Sequence, residues 1–144
     1  MGRGQRGFTL VELLVVIAIL GVLAGTVTVA VVRHLDNAKV ERAKIDIKNI
    51  EAALKTYYLN MGDYPNASEG LEALITAPAS LTGTSKWKGP YLEMTTKPKD
   101  PWGNDYLYMT PGEGGRNFDI ISYGKDGGAG GDGLNADITS YNIE

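Results

Sequence analysis

Residues 7–32 decide the fold, and they read GFTLVELLVVIAILGVLAGTVTVAVV with a single charged side chain, Glu12. A helix rises about 1.5 Å per residue, so this apolar stretch is long enough to cross a hydrocarbon core of about 30 Å. The leader before it, residues 1–7, carries Arg3 and Arg6 and no acid. Basic residues hold that end of a membrane helix in the cytoplasm. The sequence therefore predicts a transmembrane helix over residues 8–32, with the remaining chain exported.

This stretch has two simple interpretations, a secretory signal peptide and a plain membrane anchor. A secretory signal peptide fits poorly, because the apolar run is longer than usual and no small-residue cleavage site follows it. A plain membrane anchor fits the length better. Neither interpretation explains Glu12, because an acidic residue in a membrane helix costs about 2.5–3.5 kcal/mol at the helix centre.

A cut after Gly7 would give Glu12 a partner. It would create a new amine on Phe8, four residues before the Glu12 carboxylate. Between two staggered chains, the amine of one and the carboxylate of the other can neutralise each other. The position of Glu12 therefore indicates a helix that associates with copies of itself.

Overall composition excludes several functions. The chain has 144 residues, a net charge of −3 and no cysteine, which leaves room for one modest domain without disulfides or cysteine metal sites. The basic residues form no continuous stripe, so nucleic acid is not an expected partner. The single histidine, His34, follows the apolar run, and no pair of residues suggests a nucleophile with its base. We expect a protein that is not an enzyme.

Residues 33–60 continue as an amphipathic helix. Apolar residues recur at alternating steps of three and four, and residues 33–58 contain neither proline nor glycine. A coiled coil would share this spacing, but the stretch is short for one. The predicted apolar face consists of Val40, Ala43, Ile47, Ile50, Leu54 and Tyr57.

Residues 61–144 are predicted to form a small globular domain. Residues 105–109 and 118–123 alternate like strands around a glycine-rich turn at 111–116, and residues 138–141 could add a third strand. The predicted class is α+β, with a long N-terminal helix packed on a small antiparallel sheet. A short helix is expected at residues 68–75, and the expected aromatic anchors of the loops are Trp87, Tyr91 and Trp102.

The loop of residues 123–138 reads YGKDGGAGGDGLNADI and gathers acidic side chains among glycines. Oxygen ligands on such a loop suit Ca²⁺, which takes about six to eight of them. The spacing is not that of an EF-hand, because no glutamate closes a twelve-residue loop. A solvated linker explains the same composition, so the residues alone leave both interpretations open.

Gly7-Phe8-Thr9-Leu10-Val11-Glu12, between a basic leader and an apolar run, resembles the prepilin processing motif of type IV pilins and type II secretion pseudopilins. The resemblance implies that a prepilin peptidase cuts between Gly7 and Phe8 and methylates the amine of Phe8. It also implies that Glu12 takes part in subunit docking.

Motifs in the soluble part of the sequence resemble one group of these proteins in particular. Tyr64-Pro65, Glu69-Gly70-Leu71, Tyr91-Leu92 and Asp100-Pro101-Trp102-Gly103 look like the protein G family of major pseudopilins of type II secretion. Type IV pilus subunits, which serve adhesion, motility or DNA uptake, remain the alternative. They usually end in a cysteine-closed loop, which this chain lacks. The family usually carries a helix proline where this chain has Val29.

The family resemblance implies a structural role. Subunits would wait in the bacterial inner membrane as single-pass proteins with the soluble domain in the periplasm. There they would polymerise into a pseudopilus that helps export folded proteins across the outer membrane. The implied partners are copies of the chain, minor pseudopilins, the prepilin peptidase, and an inner-membrane assembly platform with its ATPase.

The resemblance also raises the expectation of a calcium site in the glycine-rich loop. Asp126 and Asp137 match the family's anchoring acids by position, and the main-chain carbonyls of Tyr123 and Gly128 match its main-chain ligands. The loop is longer than usual by a few residues. Asp132 is therefore the first choice for the middle ligand, and Asn135 is the second.

Overall fold

The computed structural model describes residues 7–81 and 86–143, and the side chains at positions 26 and 28–30 lie outside the description. Its main element is helix α1 (Leu10–Met61). The chain divides into two compact units, Met1–Asp36 and Asn37–Glu144, and each is considered by itself.

The first unit presents its apolar side chains outward. Among its described residues, Phe8 is 92% exposed and the aliphatic side chains along the helix are at least half exposed. Within the residues that the structure describes, no helix meets the combined length and hydropathy needed to cross a membrane. The structure does not confirm the transmembrane segment predicted at residues 8–32. The backbone at position 29 is helical, but the Val29 side chain lies outside the description.

In the second unit, α1 buries the face that the sequence predicts. Ala43, Ile47, Ile50, Leu54 and Tyr57 are buried, and Val40 is partly buried against them. Burial of each larger aliphatic side chain, Ile47, Ile50 and Leu54, contributes about 1.5–3 kcal/mol. The helix ends at Met61 because Gly62 adopts a φ of +85° and its N–H bonds the Tyr58 carbonyl at 2.7 Å. This left-handed glycine is a common helix terminator.

A three-stranded antiparallel sheet packs on this face. Its strands are β1 (Leu107–Met109), β2 (Asp119–Ser122) and β3 (Ile138–Thr139), in that order. Leu107 pairs with Ile121, and Ser122 pairs with Ile138. The predicted α+β class is confirmed. β1 starts later than predicted, because Asp105 forms an isolated bridge with Lys99 instead. The residues that join the sheet side of the core to the helix are Tyr106, Phe118, Ile120 and Ile138.

The segment between helix and sheet is fixed by local hydrogen bonds and aromatic contacts. The predicted short helix is a 3₁₀ turn, Gly70–Leu74, preceded by Asn66, whose Oδ1 accepts the N–H groups of Ser68 and Glu69. The indole N–H of Trp87 bonds the Ala73 carbonyl at 3.0 Å. All three predicted anchors pack against the core: Trp87, Tyr91 and Trp102.

The turn between β1 and β2 contains an ion pair between a buried carboxylate and a partly exposed guanidinium. Asp119 is only 1% exposed, and its Oδ2 accepts Arg116 Nη2 at 3.0 Å and the Glu113 N–H at 2.8 Å. Arg116 also lies 4.0 Å from the ring centroid of Tyr141. The Arg116 guanidinium lowers the pKa of the Asp119 carboxyl below its ordinary value.

Replacing Arg116 by methionine is expected to lower the free energy of unfolding of the second unit at neutral pH, because Asp119 stays buried without its cation. A carboxyl with a lowered folded-state pKa stabilises fully above its unfolded value near 3.9 and loses that contribution as pH falls through the folded value. Urea unfolding should therefore show a gap between wild type and variant that narrows below about pH 4. A gap of constant size from pH 7 to pH 3 would contradict this origin. Arg116→Lys, which keeps the charge, should retain part of the stability.

Candidate functional site

The start of α1 is closed by a reciprocal cap. Thr9 directly precedes the helix, and its Oγ1 accepts the Glu12 N–H at 3.2 Å. Glu12 Oε2 accepts the Thr9 N–H at 2.8 Å and the Thr9 hydroxyl at 3.1 Å. This Thr-x-x-Glu capping box gives Glu12 a partner inside its own chain. The Thr-x-x-Glu spacing at residues 9–12 is the sequence signal that could have predicted this cap.

The predicted cleavage point precedes this cap. Gly7 and Phe8 lie outside the helix and are exposed, so the bond between them is in an open segment. A Cβ added to Gly7 would meet no atom of residues 7–81 or 86–143 within 4 Å. The described residues therefore leave room for a side chain at position 7. Cleavage and methylation at this bond stay predictions.

The acidic glycine-rich loop folds back on itself. The Lys125 N–H bonds the Leu134 carbonyl at 3.1 Å, and the Asn135 N–H bonds the Asp132 carbonyl at 3.1 Å. Gly131, with a φ of +88°, leaves no room for a side chain, because a Cβ there would lie 2.7 Å from the Asn135 carbonyl oxygen. These contacts give the loop a defined conformation. A solvated linker would not need such contacts.

Each of the two predicted anchoring acids accepts a hydrogen bond from a backbone N–H group of the loop. Asp126 Oδ1 accepts the Gly128 N–H at 3.1 Å, and Asp137 Oδ2 accepts the Gly130 N–H at 2.9 Å. The other oxygen of Asp137, Oδ1, is buried and has no hydrogen-bond partner among the described residues. A buried carboxylate oxygen without a donor is costly unless a cation or water satisfies it. This unpaired oxygen fits a cation ligand.

The structure does not gather the acids into a ready-made cluster. Over residues 7–81 and 86–143, no group of three or more His, Asp or Glu side chains lies together as a metal site would need. Asp126, Asp132 and Asn135 are exposed, and Tyr123 and Asp137 are half-buried. A cation here would take main-chain carbonyls beside Asp137 and Asp126, a donor set that Ca²⁺ accepts. The calcium ligands stay predictions.

The geometry defines a class of protein. An N-terminal helix with an outward apolar surface continues into a stripe covered by a small antiparallel sheet, and this is the architecture of pilin-like subunits. The family described as "Prokaryotic N-terminal methylation motif" matches residues 2–28. The family described as "Type II secretion system (T2SS), protein G" matches residues 30–141. The chain belongs to the T2SS protein G family.

Similar proteins from several bacteria carry the same description. The chain is 42% identical to the type II secretion system core protein G of Vibrio cholerae, over 99% of this chain and 95% of that one. It is 46% identical to the corresponding protein of Pseudomonas aeruginosa, over 96% of each. The major pseudopilin from the type 2 secretion system of enterohaemorrhagic Escherichia coli matches with a TM-score of 0.62 and 29% identity, over 76% of this chain and 92% of that one.

These comparisons confirm the family that the sequence motifs indicate. The family consists of structural pseudopilins and is not a family of enzymes. The relatives and the structural match favour the type II secretion assignment, and none of them favours the type IV pilus alternative.

Proposed function

We propose that the chain is the major structural subunit of a type II secretion pseudopilus, which polymerises through its N-terminal helix and helps drive folded proteins across the outer membrane. The observation that carries the proposal is the apolar surface of the first unit. Its described large apolar side chains from Phe8 to Val32 are at least half exposed. A contiguous apolar surface of this kind marks a membrane or protein interface. The role requires no catalytic residue.

In this proposal the apolar surface contacts lipid before assembly and neighbouring subunits after assembly. Before assembly, the helix lies in the bacterial inner membrane, with the basic leader in the cytoplasm and the second unit in the periplasm. After assembly, neighbouring helices cover one another inside the filament. The prepilin peptidase, the assembly platform with its ATPase and the minor pseudopilins act on the chain at these stages. The basic leader and the single acid in an apolar run support this order of events.

Processing precedes polymerisation in this proposal. The peptidase cuts between Gly7 and Phe8 and methylates the Phe8 amine. Glu12 then pairs with the amine of a neighbouring subunit and leaves its bonds to Thr9 when it does so. The match to the methylation motif and the open position of the Gly7–Phe8 bond support this step.

Calcium stabilises the last part of the second unit in this proposal. Asp126 and Asp137 anchor the ion, Asp132 or Asn135 adds a ligand, and the carbonyls of Tyr123 and Gly128 complete the set. The ion would neutralise acids that otherwise repel one another, and it would satisfy the buried Asp137 Oδ1. Without disulfides, β3 is held by its short pairing with β2 and by the burial of Ile138, and the ion would add a further contact.

Deleting the gene tests the proposed function. Folded exoproteins should accumulate in the periplasm, and the wild-type gene should restore their release. Overproduction together with the secretion genes should give filaments in which this chain is the main component. Normal secretion in the deletion strain, accompanied by loss of twitching or DNA uptake, would overturn the proposal in favour of a type IV pilus subunit.

A further inference from the structure

The glycine-rich loop is tied to the segment before β1 through one buried hydroxyl. Ser122, the last residue of β2, is 0% exposed. Its hydroxyl donates to Asp100 Oδ2 at 2.7 Å, and its oxygen accepts the Gly124 N–H at 3.3 Å. A single side chain therefore connects Asp100 to the first turn of the loop.

The Asp100 carboxylate is held in one orientation by several hydrogen bonds. It is 4% exposed, and Oδ1 accepts the N–H groups of Trp102 and Asn104 at 3.1 and 2.8 Å. The Asp100 N–H also bonds the Asn104 carbonyl at 2.8 Å. Three donors on a buried carboxylate offset much of its desolvation and lock its orientation. With those donors on both oxygens, Asp100 serves as an anchor and not as a cation ligand.

The two ends of the loop meet at the turn that Ser122 holds. Gly124 has a φ of +68°, and a Cβ there would lie 3.0 Å from the Ala136 carbonyl oxygen. The next residue, Lys125, bonds Leu134 across the loop. The outgoing end leads directly to Asp126, and the returning end leads directly to Asp137. The contact between Gly124 and Ala136 therefore joins the chain two residues before Asp126 to the chain one residue before Asp137.

We propose that Asp100, acting through Ser122, is a positioning residue for the cation ligands of the loop. It holds the two loop ends together before any ion binds, so that little ordering remains when the ion arrives. The role rests on the calcium site proposed above. Local hydrogen bonds hold the turn of Asp100-Pro101-Trp102-Gly103, and the Ser122 hydroxyl connects this turn to the base of the loop.

The test uses the full chain in a mild detergent, with Ca²⁺ titrated by calorimetry and amide exchange followed without calcium. The main variant is Ser122→Ala, and Asp100→Asn is the second. Thr139→Val is the matched control, because Thr139 is buried on the neighbouring strand and its hydroxyl has no hydrogen-bond partner among the described residues. The Lys125 amide is the exchange reporter, since its bond to Leu134 touches neither mutated side chain.

Ser122→Ala should weaken Ca²⁺ binding about tenfold or more, as changes next to metal ligands commonly do. It should also speed exchange of the Lys125 amide. Asp100→Asn should move both readouts in the same direction, and Thr139→Val should move neither. Unchanged affinity and unchanged Lys125 exchange in Ser122→Ala would overturn the positioning role. If the wild type itself does not bind Ca²⁺, the calcium site is rejected, and the Lys125 exchange alone decides whether Asp100 holds the loop.

Discussion

Replacing Glu12 by leucine is expected to abolish filament assembly while the subunit inserts in the membrane at least as well as the wild type. Insertion is maintained because the desolvation cost of a carboxylate disappears. Assembly fails because the Phe8 amine of the neighbouring subunit loses its anion. The measurement is membrane fractionation together with counting of filaments on cells that overproduce the secretion system. Filaments of normal number and length from the leucine variant would refute the pairing.

The capping box makes a sharper control available. Glu12→Gln can still close the box with Thr9, because glutamine serves in this position as glutamate does, but it carries no charge. If Glu12 acts by pairing with an amine, the glutamine variant should lose most filaments too. If Glu12 acts only as a helix cap, the glutamine variant should assemble like the wild type. The two variants together separate the charge of Glu12 from its local role.

Removing calcium is expected to lower the melting temperature of the second unit by roughly 10 °C or more. A ligand that binds only the folded state stabilises it by about 2.7 kcal/mol at a hundredfold excess over Kd, and a small domain shifts by about 4–8 °C per kcal/mol. Both tryptophans, Trp87 and Trp102, lie in the second unit, so their fluorescence follows its unfolding in the full chain. Ca²⁺ should restore the curve, and Mg²⁺ should do so much less, because it requires tighter octahedral geometry.

The rise in melting temperature on adding Ca²⁺ should depend entirely on the acidic side chains of the loop. Asp126→Ala and Asp137→Ala are each expected to remove it, and in cells they should lower subunit abundance before any defect in processing. Glu93→Ala is the control, because Glu93 is an exposed acid outside the loop. If chelation leaves the melting temperature of the wild type unchanged, the loop is not a calcium site.

Periodicity predicted the parts of the fold that depend on burying a regular face. The three-four spacing from Val40 to Tyr57 marked the buried side of α1, and the alternation around residues 111–116 marked the β1–β2 hairpin. Periodicity could not predict the 3₁₀ form of Gly70–Leu74, because that turn depends on the Asn66 side chain and on packing of Leu71 and Leu74.

The candidate sites were predictable where a motif is local and not where the contact joins distant segments. The spacing from Gly7 to Glu12 identified the processing motif directly. The bond between Asp100 and Ser122 spans 22 residues, so it became visible only when the sheet placed them together. The unpaired oxygen of Asp137 is likewise a property of packing, which no residue pattern encodes.

The N-terminus of the subunit recovered from assembled filaments shows whether the chain polymerises through a processed helix. Polymerisation through the helix requires a free, processed amine at its start, next to Glu12 of a neighbouring copy. Mass spectrometry and N-terminal sequencing should find a chain that begins at Phe8, with one methyl group on its amine. A filament subunit that still carries residues 1–7, or a mature protein that begins after Val32, would contradict the account.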